Sequence, residues 1–230
     1  VENKKEKLED FKTAISSTVK SLANSEKIEV SFGNQNPKSE KNSIKLPDIN
    51  QTNNKINYEE IRAIADSKSL RYRFSNKHTL LKYQPRGNIS RKLYQISEKI
   101  RCEKIGSSYF KGVKGNIEKF YQNRISGLDL KSSEDKIVES FENYLRTKFL
   151  DFKSDTRIEK KLKSYKKDLN EQFKNKINEL NDFTLNQEKF NFLISKLISK
   201  MSLDENIEDD NKEDDKNNND KDNKPQNHDQ

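Results

Sequence analysis

The chain has 230 residues, 37% of them charged and only 30% hydrophobic, with no Trp and a net charge of +8. So thin an apolar fraction excludes a large single core and favours a multi-helix bundle, in which each helix needs only a narrow apolar stripe. A single cysteine, Cys102, excludes an internal disulfide or a cysteine-based zinc site, and no apolar run approaches the ~18 residues of a membrane span.

The charge is unevenly spread. Residues 204–230 carry eleven acids and four lysines, a net −7, which leaves +15 on residues 1–203. That division sets the expected organisation: a helical domain over 1–203 and a disordered acidic linker or tail over 204–230. Lysine outnumbers arginine roughly fourfold, and arginine is the residue that bidentate phosphate recognition favours. The positive charge therefore reads first as solvated surface and only second as a nucleic-acid footprint. With no signal-like segment in "VENKKEKLEDF", the expected location is the cytoplasm.

In chain order, Leu8, Phe11, Ile15, Val19 and Leu22 recur at helical spacing and predict a helix over 4–24. In "KIEVSFG", Ile28, Val30 and Phe32 alternate with polar residues, which predicts a short strand ended by Gly33. "SIKLPDI" (43–49) is a second extended piece expected to pair with it. A helical segment runs from Tyr58, with Ile61, Ile64, Ala65, Leu70 and Tyr72 on one face, until "QPRGN" breaks it. The next helix, capped by Asn88 or Ser90, carries Ile89, Leu93, Ile96 and Ile100. It is expected to end at Gly106 in a left-handed cap.

Ser107 or Ser108 would then cap a helix with Phe110, Val113, Ile117 and Phe120 inward. Gly112 and Gly115 cost ~1 kcal/mol each if helical, which suggests a close helix approach or a kink there. After "SGLD", Ser133 precedes a helix with Ile137, Val138, Phe141, Tyr144 and Leu145. Ile158, Leu162, Tyr165, Leu169, Phe173, Ile177 and Leu180 predict one long helix over 155–180 with a narrow seam. A last helix over 186–201 carries Phe190, Phe192, Leu193, Leu197 and Ile198.

Catalytic signatures are scarce. The sequence has no G-x-x-x-x-G-K-[S/T] phosphate loop, and "KGVKGN" lacks the preceding strand that a phosphate cradle needs. "DSKS" and "DLKSS" both miss the D-x-S-x-S spacing that would converge oxygens on one cation. His78 and His228 are too few for a histidine cluster. Glu98 and Glu103, five residues apart, lie on different helix faces and form no acid–base pair, and Arg101 reads as making ordinary ion pairs at helix spacing, worth tenths of a kcal/mol if exposed. No catalytic, cofactor or metal residue is assigned.

The run "PRGNISRKLYQISEKIRCEKIGSSYFKGVKGNI" nevertheless resembles the most distinctive stretch of the CobT subunit of aerobic cobaltochelatase. The matching positions are Pro85, Gly87, Arg91, Leu93, Tyr94, Glu98, Arg101, Glu103, Ile105, Gly106, Gly112, Val113 and Asn116, in register without a gap. "ADSKSLRYR" is similar to an upstream family segment through Ala65, Asp66, Leu70, Arg71 and Arg73, "KIEVSFG" resembles the strand near the family's N-terminus, and "KLPDI" resembles its Leu-Pro segment. There are departures. Where the family often has paired His and Asp, this chain has Phe74, Ser75, Asn76 and Leu80, with His78 out of register, and Phe110 replaces a Met.

The resemblance implies a non-catalytic adaptor that works with the AAA+ ATPase subunit CobS. The pair drives the CobN subunit to insert cobalt into hydrogenobyrinic acid a,c-diamide in cobalamin biosynthesis. ATP and magnesium would belong to CobS and the corrin site to CobN, with no cofactor in this chain. The motif residues would be structural or subunit-contact positions, with Arg101 and Glu103 orienting neighbouring helices. It also implies a longer protein that continues through an acidic linker into a von Willebrand A-type domain. Two other readings stay open: a basic helical nucleic-acid-binding protein, which the +15 body motivates, and a helical scaffold without enzyme association.

Overall fold

The computed structural model describes residues 2–34, 42–49, 58–130, 132–153, 156–201 and 203. The acidic stretch 204–230 lies outside the described residues.

The chain folds as a mainly α multi-helix bundle with one small sheet, as its composition leads one to expect. Helix α1 (Glu2–Ala23) is followed by β1 (Glu29–Phe32) and β2 (Ser43–Leu46), which pair in parallel with Val30 opposite Ile44 and Phe32 opposite Leu46. Gly33 ends β1 at φ +60°, the left-handed region, and its N–H donates to the Leu46 carbonyl at 2.9 Å. The alternation predicted for β1 is imperfect: Ser31 is buried while Val30 is half-buried. Ile15 and Val19 of α1, Ile28, Ile44, Leu46 and the first turns of the next helix share a small core around this sheet.

The larger core is built around α4. Helix α2 (Tyr58–Phe74) stops at Ser75, and α3 (Lys77–Lys82) restarts where the Asn76 Oδ1 accepts from the Thr79 N–H at 3.1 Å. The single segment read from the sequence is thus two helices, because Asn76 offers the backbone a cap in mid-run. Helix α4 (Asn88–Tyr109) is covered by α2, α5 (Lys111–Ser126), α6 (Ser133–Lys148) and α10 (Gln187–Ser199). Gly87, in extended conformation, occupies the cap position of α4, and Ser132 caps α6 by accepting from the Asp135 N–H at 3.0 Å.

Two expectations are corrected here. Gly106 does not end α4. It is buried inside the helix, which runs on to Tyr109, so neither Ser107 nor Ser108 caps α5. The long helix over 155–180 is instead a broken series: α7 (Thr156–Lys161), α8 (Lys166–Phe173) and α9 (Ile177–Asp182), joined by 3₁₀ turns at Lys163–Tyr165 and Lys174–Lys176. The breaks let Leu162, Leu169, Phe173 and Leu180 all reach the core. A straight helix would carry a seam around its axis over that length. Among the described residues, no helix is long and apolar enough to cross a membrane.

Candidate functional site: charged residues buried at the helix crossings

Helix α4 is buried nearly all round, so its polar residues cannot all reach water. Glu98, Arg101 and Glu103 are each at most 1% exposed, so the ion pair that Arg101 makes at helix spacing is a buried one, not the weak exposed kind. Its guanidinium grips Glu98 in a two-pronged pair, Nε to Oε2 and Nη2 to Oε1, both 2.8 Å. The remaining donors reach off the helix. Nη1 donates to the Thr184 carbonyl at 2.9 Å, and Nη2 to the Phe74 carbonyl at 2.6 Å. Phe74 ends α2, where carbonyls lack helical partners, and Thr184 lies in the turn between α9 and α10. Arg101 thus ties three chain segments to one point. The electron-rich face of Phe190 lies 5.9 Å from it.

A second chain of charges crosses the bundle from α2 to α5. Glu103 accepts from the Ser67 hydroxyl at 2.5 Å and from Arg146 Nη1 at 2.8 Å. Arg146, 2% exposed, also donates through Nε to Glu142 at 2.8 Å, and Glu142 accepts from Arg124 at 3.0 Å. Arg124 in turn forks onto Glu139 at 2.7 and 2.8 Å. Tyr121 lies under both guanidiniums, 4.7 Å from that of Arg146 and 5.4 Å from that of Arg124. Burial pushes the Glu142 carboxyl up, but Arg146, Lys99 and Arg124 outweigh it and hold the group at about 2. Burial likewise disfavours charge on Arg146, and Glu103 and Glu142 reverse that, holding it above the ordinary arginine value. Both groups stay ionised at neutral pH.

A third contact joins α2 to α5. Asp66, fully buried, accepts from the Asn116 amide at 2.8 Å and from Arg62 Nε at 3.1 Å. Burial raises its pKa, and the Asn116 and Arg62 contacts only partly offset that. The Cys102 thiol, also fully buried, is pushed up by burial and by Glu98 beside it, so it is a poor nucleophile.

The motif positions divide accordingly. Glu98 and Arg101 pair with each other, Glu103 reaches α2 and α6, and Asn116 meets Asp66. Tyr94 is buried and donates its hydroxyl to the Leu80 carbonyl at 2.9 Å, and Val113 is core. Pro85, Gly87 and Arg91 stand at the far N-terminal end of α4, where Arg91 donates to the Arg86 carbonyl at 2.8 Å. Gly112 is exposed with open space around it, so no helix approaches there. Upstream, Arg73 donates to the Leu22 carbonyl at 3.3 Å and Arg71 to Gln95.

Sequence reasoning missed Ser67, Arg124, Glu139, Glu142 and Arg146. One signal was present: Glu139, Glu142 and Arg146 are spaced three and four apart on α6, alongside its apolar stripe. Among the described residues, no group of three or more His, Cys, Asp or Glu side chains is placed to hold a metal ion. A family model described as CobT, cobalamin biosynthesis protein CobT, matches residues 5–230. No solved structure matches the chain.

Proposed function

The chain belongs to the CobT family of cobalamin biosynthesis proteins, a family of cobaltochelatase subunits, and from that premise we propose that it acts as a non-catalytic adaptor. In this reading it works with a CobS-type AAA+ ATPase to support cobalt insertion into hydrogenobyrinic acid a,c-diamide by a CobN-type large subunit. ATP and magnesium belong to the ATPase, and cobalt is the substrate of the complex.

One observation supports the adaptor role above others. Glu98, Arg101, Glu103 and Asn116 of the family motif are spent on internal contacts: Glu98 on Arg101, Glu103 on Ser67 and Arg146, Asn116 on Asp66. Both carboxylates are fully buried with their oxygens taken up by these partners, so neither has an open face for a substrate. What such a network supplies is a defined arrangement of α2, α4, α5, α6 and α10. A rigid helical body of this kind acts through its surface.

The test is reconstitution from purified subunits. Mass photometry of the chain with the CobS-type subunit and ATP is expected to show a complex, and adding the chain is expected to raise the cobalt insertion rate. Absence of any complex, with full insertion by the other two subunits alone, overturns the reading.

A further inference from the structure

We propose that the face formed by α3 and the first two turns of α10 is a docking surface for an acidic protein segment carrying aliphatic or aromatic anchors. Its partner's identity rests on the adaptor reading, whereas the surface itself does not.

The two helices are held together as one face. The Asn76 N–H donates to the Gln187 side chain at 2.7 Å, the Tyr83 hydroxyl to Glu188 at 2.8 Å, and the rings of Tyr83 and Phe192 meet edge-on at 5.9 Å. Arg101, through the Phe74 and Thr184 carbonyls, fixes the chain entering both helices. The backbone under the face is therefore preorganised, which lowers the cost of binding.

The two helices and the turn before α10 expose large apolar side chains. Leu81 is 55% exposed, Phe192 56% and Leu185, at the entrance to α10, 76%; together they are half of the six large exposed hydrophobic residues described. Phe192 is notable because its neighbours in α10, Phe190, Leu193, Ile194, Leu197 and Ile198, are all core.

Charge gives the occupant its sign. From Ser67 to Ser97 the chain has no acid, against eight Lys and Arg, in a protein with 38 acids in 230 residues. That stretch contains the end of α2, all of α3 and the start of α4. On α10 the one acid, Glu188, is already engaged by Lys82 at 2.5 Å. Exposed Lys77, Arg86 and Lys189 add positive charge with no acid on α3 to oppose them. An apolar centre in a basic setting fits carboxylates flanking a Leu or Phe anchor. A bare phosphate backbone would leave the apolar centre unsatisfied.

The test uses the full chain and three labelled probes read by fluorescence anisotropy. They are an amphipathic helical peptide with Leu and Phe on one face and Glu on the other, its Lys-for-Glu counterpart, and single-stranded oligothymidylate. The variants are Leu81→Asp and Phe192→Asp, both exposed, with melting curves to verify the fold. The acidic peptide is expected to bind and the basic one not, and each variant is expected to lose at least about tenfold in affinity, about 1.4 kcal/mol. Unchanged binding by the folded variants, or no binding by the wild type, overturns the proposal. So does preference for oligothymidylate that the same variants abolish.

Titration with the purified CobS-type and CobN-type subunits separates the two readings. If the peptide needs Leu81 and Phe192 but neither subunit binds, the surface stands and the adaptor role fails. If a subunit binds and the variants bind it equally, the adaptor role stands and this surface falls.

Discussion

Gly106 of α4 lies so close to Leu70 of α2 that a Cβ on the glycine would sit 2.3 Å from a Leu70 methyl carbon. Leu70 is fully buried and cannot swing aside into solvent. Gly106→Ala should therefore lose roughly 1–3 kcal/mol by overpacking. Gly112 and Gly115, with open space where a Cβ would go, are helical and exposed. Gly112→Ala and Gly115→Ala should each gain about 0.5–1 kcal/mol. Urea unfolding of the three variants checks both signs.

Arg146 is the residue whose removal strands the most charge. Arg146→Met leaves Glu103 buried with Lys99, 4.0 Å away, as its nearby cation, while Glu142 keeps Arg124 at 3.0 Å and Lys99 at 4.0 Å. The expected cost is about 3–5 kcal/mol. Arg146→Lys keeps the charge but not the fork and should cost less. Combining Arg146→Met with Glu103→Gln should give a loss smaller than the sum, read from a double-mutant cycle in denaturant. Additive losses would show that the two side chains do not work together.

Two buried carboxyls give opposite pH signatures. Glu142 is held at about 2 against an ordinary 4.5, so its contribution is present above pH 4.5 and is lost as pH falls toward 2. Glu142→Gln should flatten that acid limb. Asp66 is raised above its ordinary 3.8, so its charged form is a penalty that sets in as pH rises from 3.8 through the folded value. Asp66→Asn should gain on the wild type as pH goes from acid to neutral. Stability measured across that range distinguishes the two signs.

The apolar periodicities fixed much of the fold in advance: Ile15 and Val19 in α1, Val113 and Ile117 in α5, Phe141 and Leu145 in α6 are all core, as their spacing requires. The misses share a cause. Periodicity treats a charged residue as solvent-facing, whereas α4 is wrapped on all sides and places Glu98, Arg101 and Glu103 against other helices. Only the tertiary partners, some of them more than forty residues away, make those positions tolerable. Glycine was misread similarly. Its use as a cap was weighed at Gly106, where the real constraint is a side chain thirty-six residues earlier. The breaks at Ser75–Asn76 and along 155–180 are places where capping and core contact outweighed a continuous stripe.

The central claim is that the buried motif carboxylates hold the bundle together and take no part in chemistry. Glu103→Gln tests it most directly, because the amide keeps the shape and can still accept a hydrogen bond while losing the charge that faces Arg146. The measurement is cobalt insertion by the reconstituted subunits, per folded molecule, beside the unfolding free energy of the variant. A lowered stability with an unchanged insertion rate is the predicted result. An unchanged stability with a collapsed insertion rate would make Glu103 a reacting group and contradict the account.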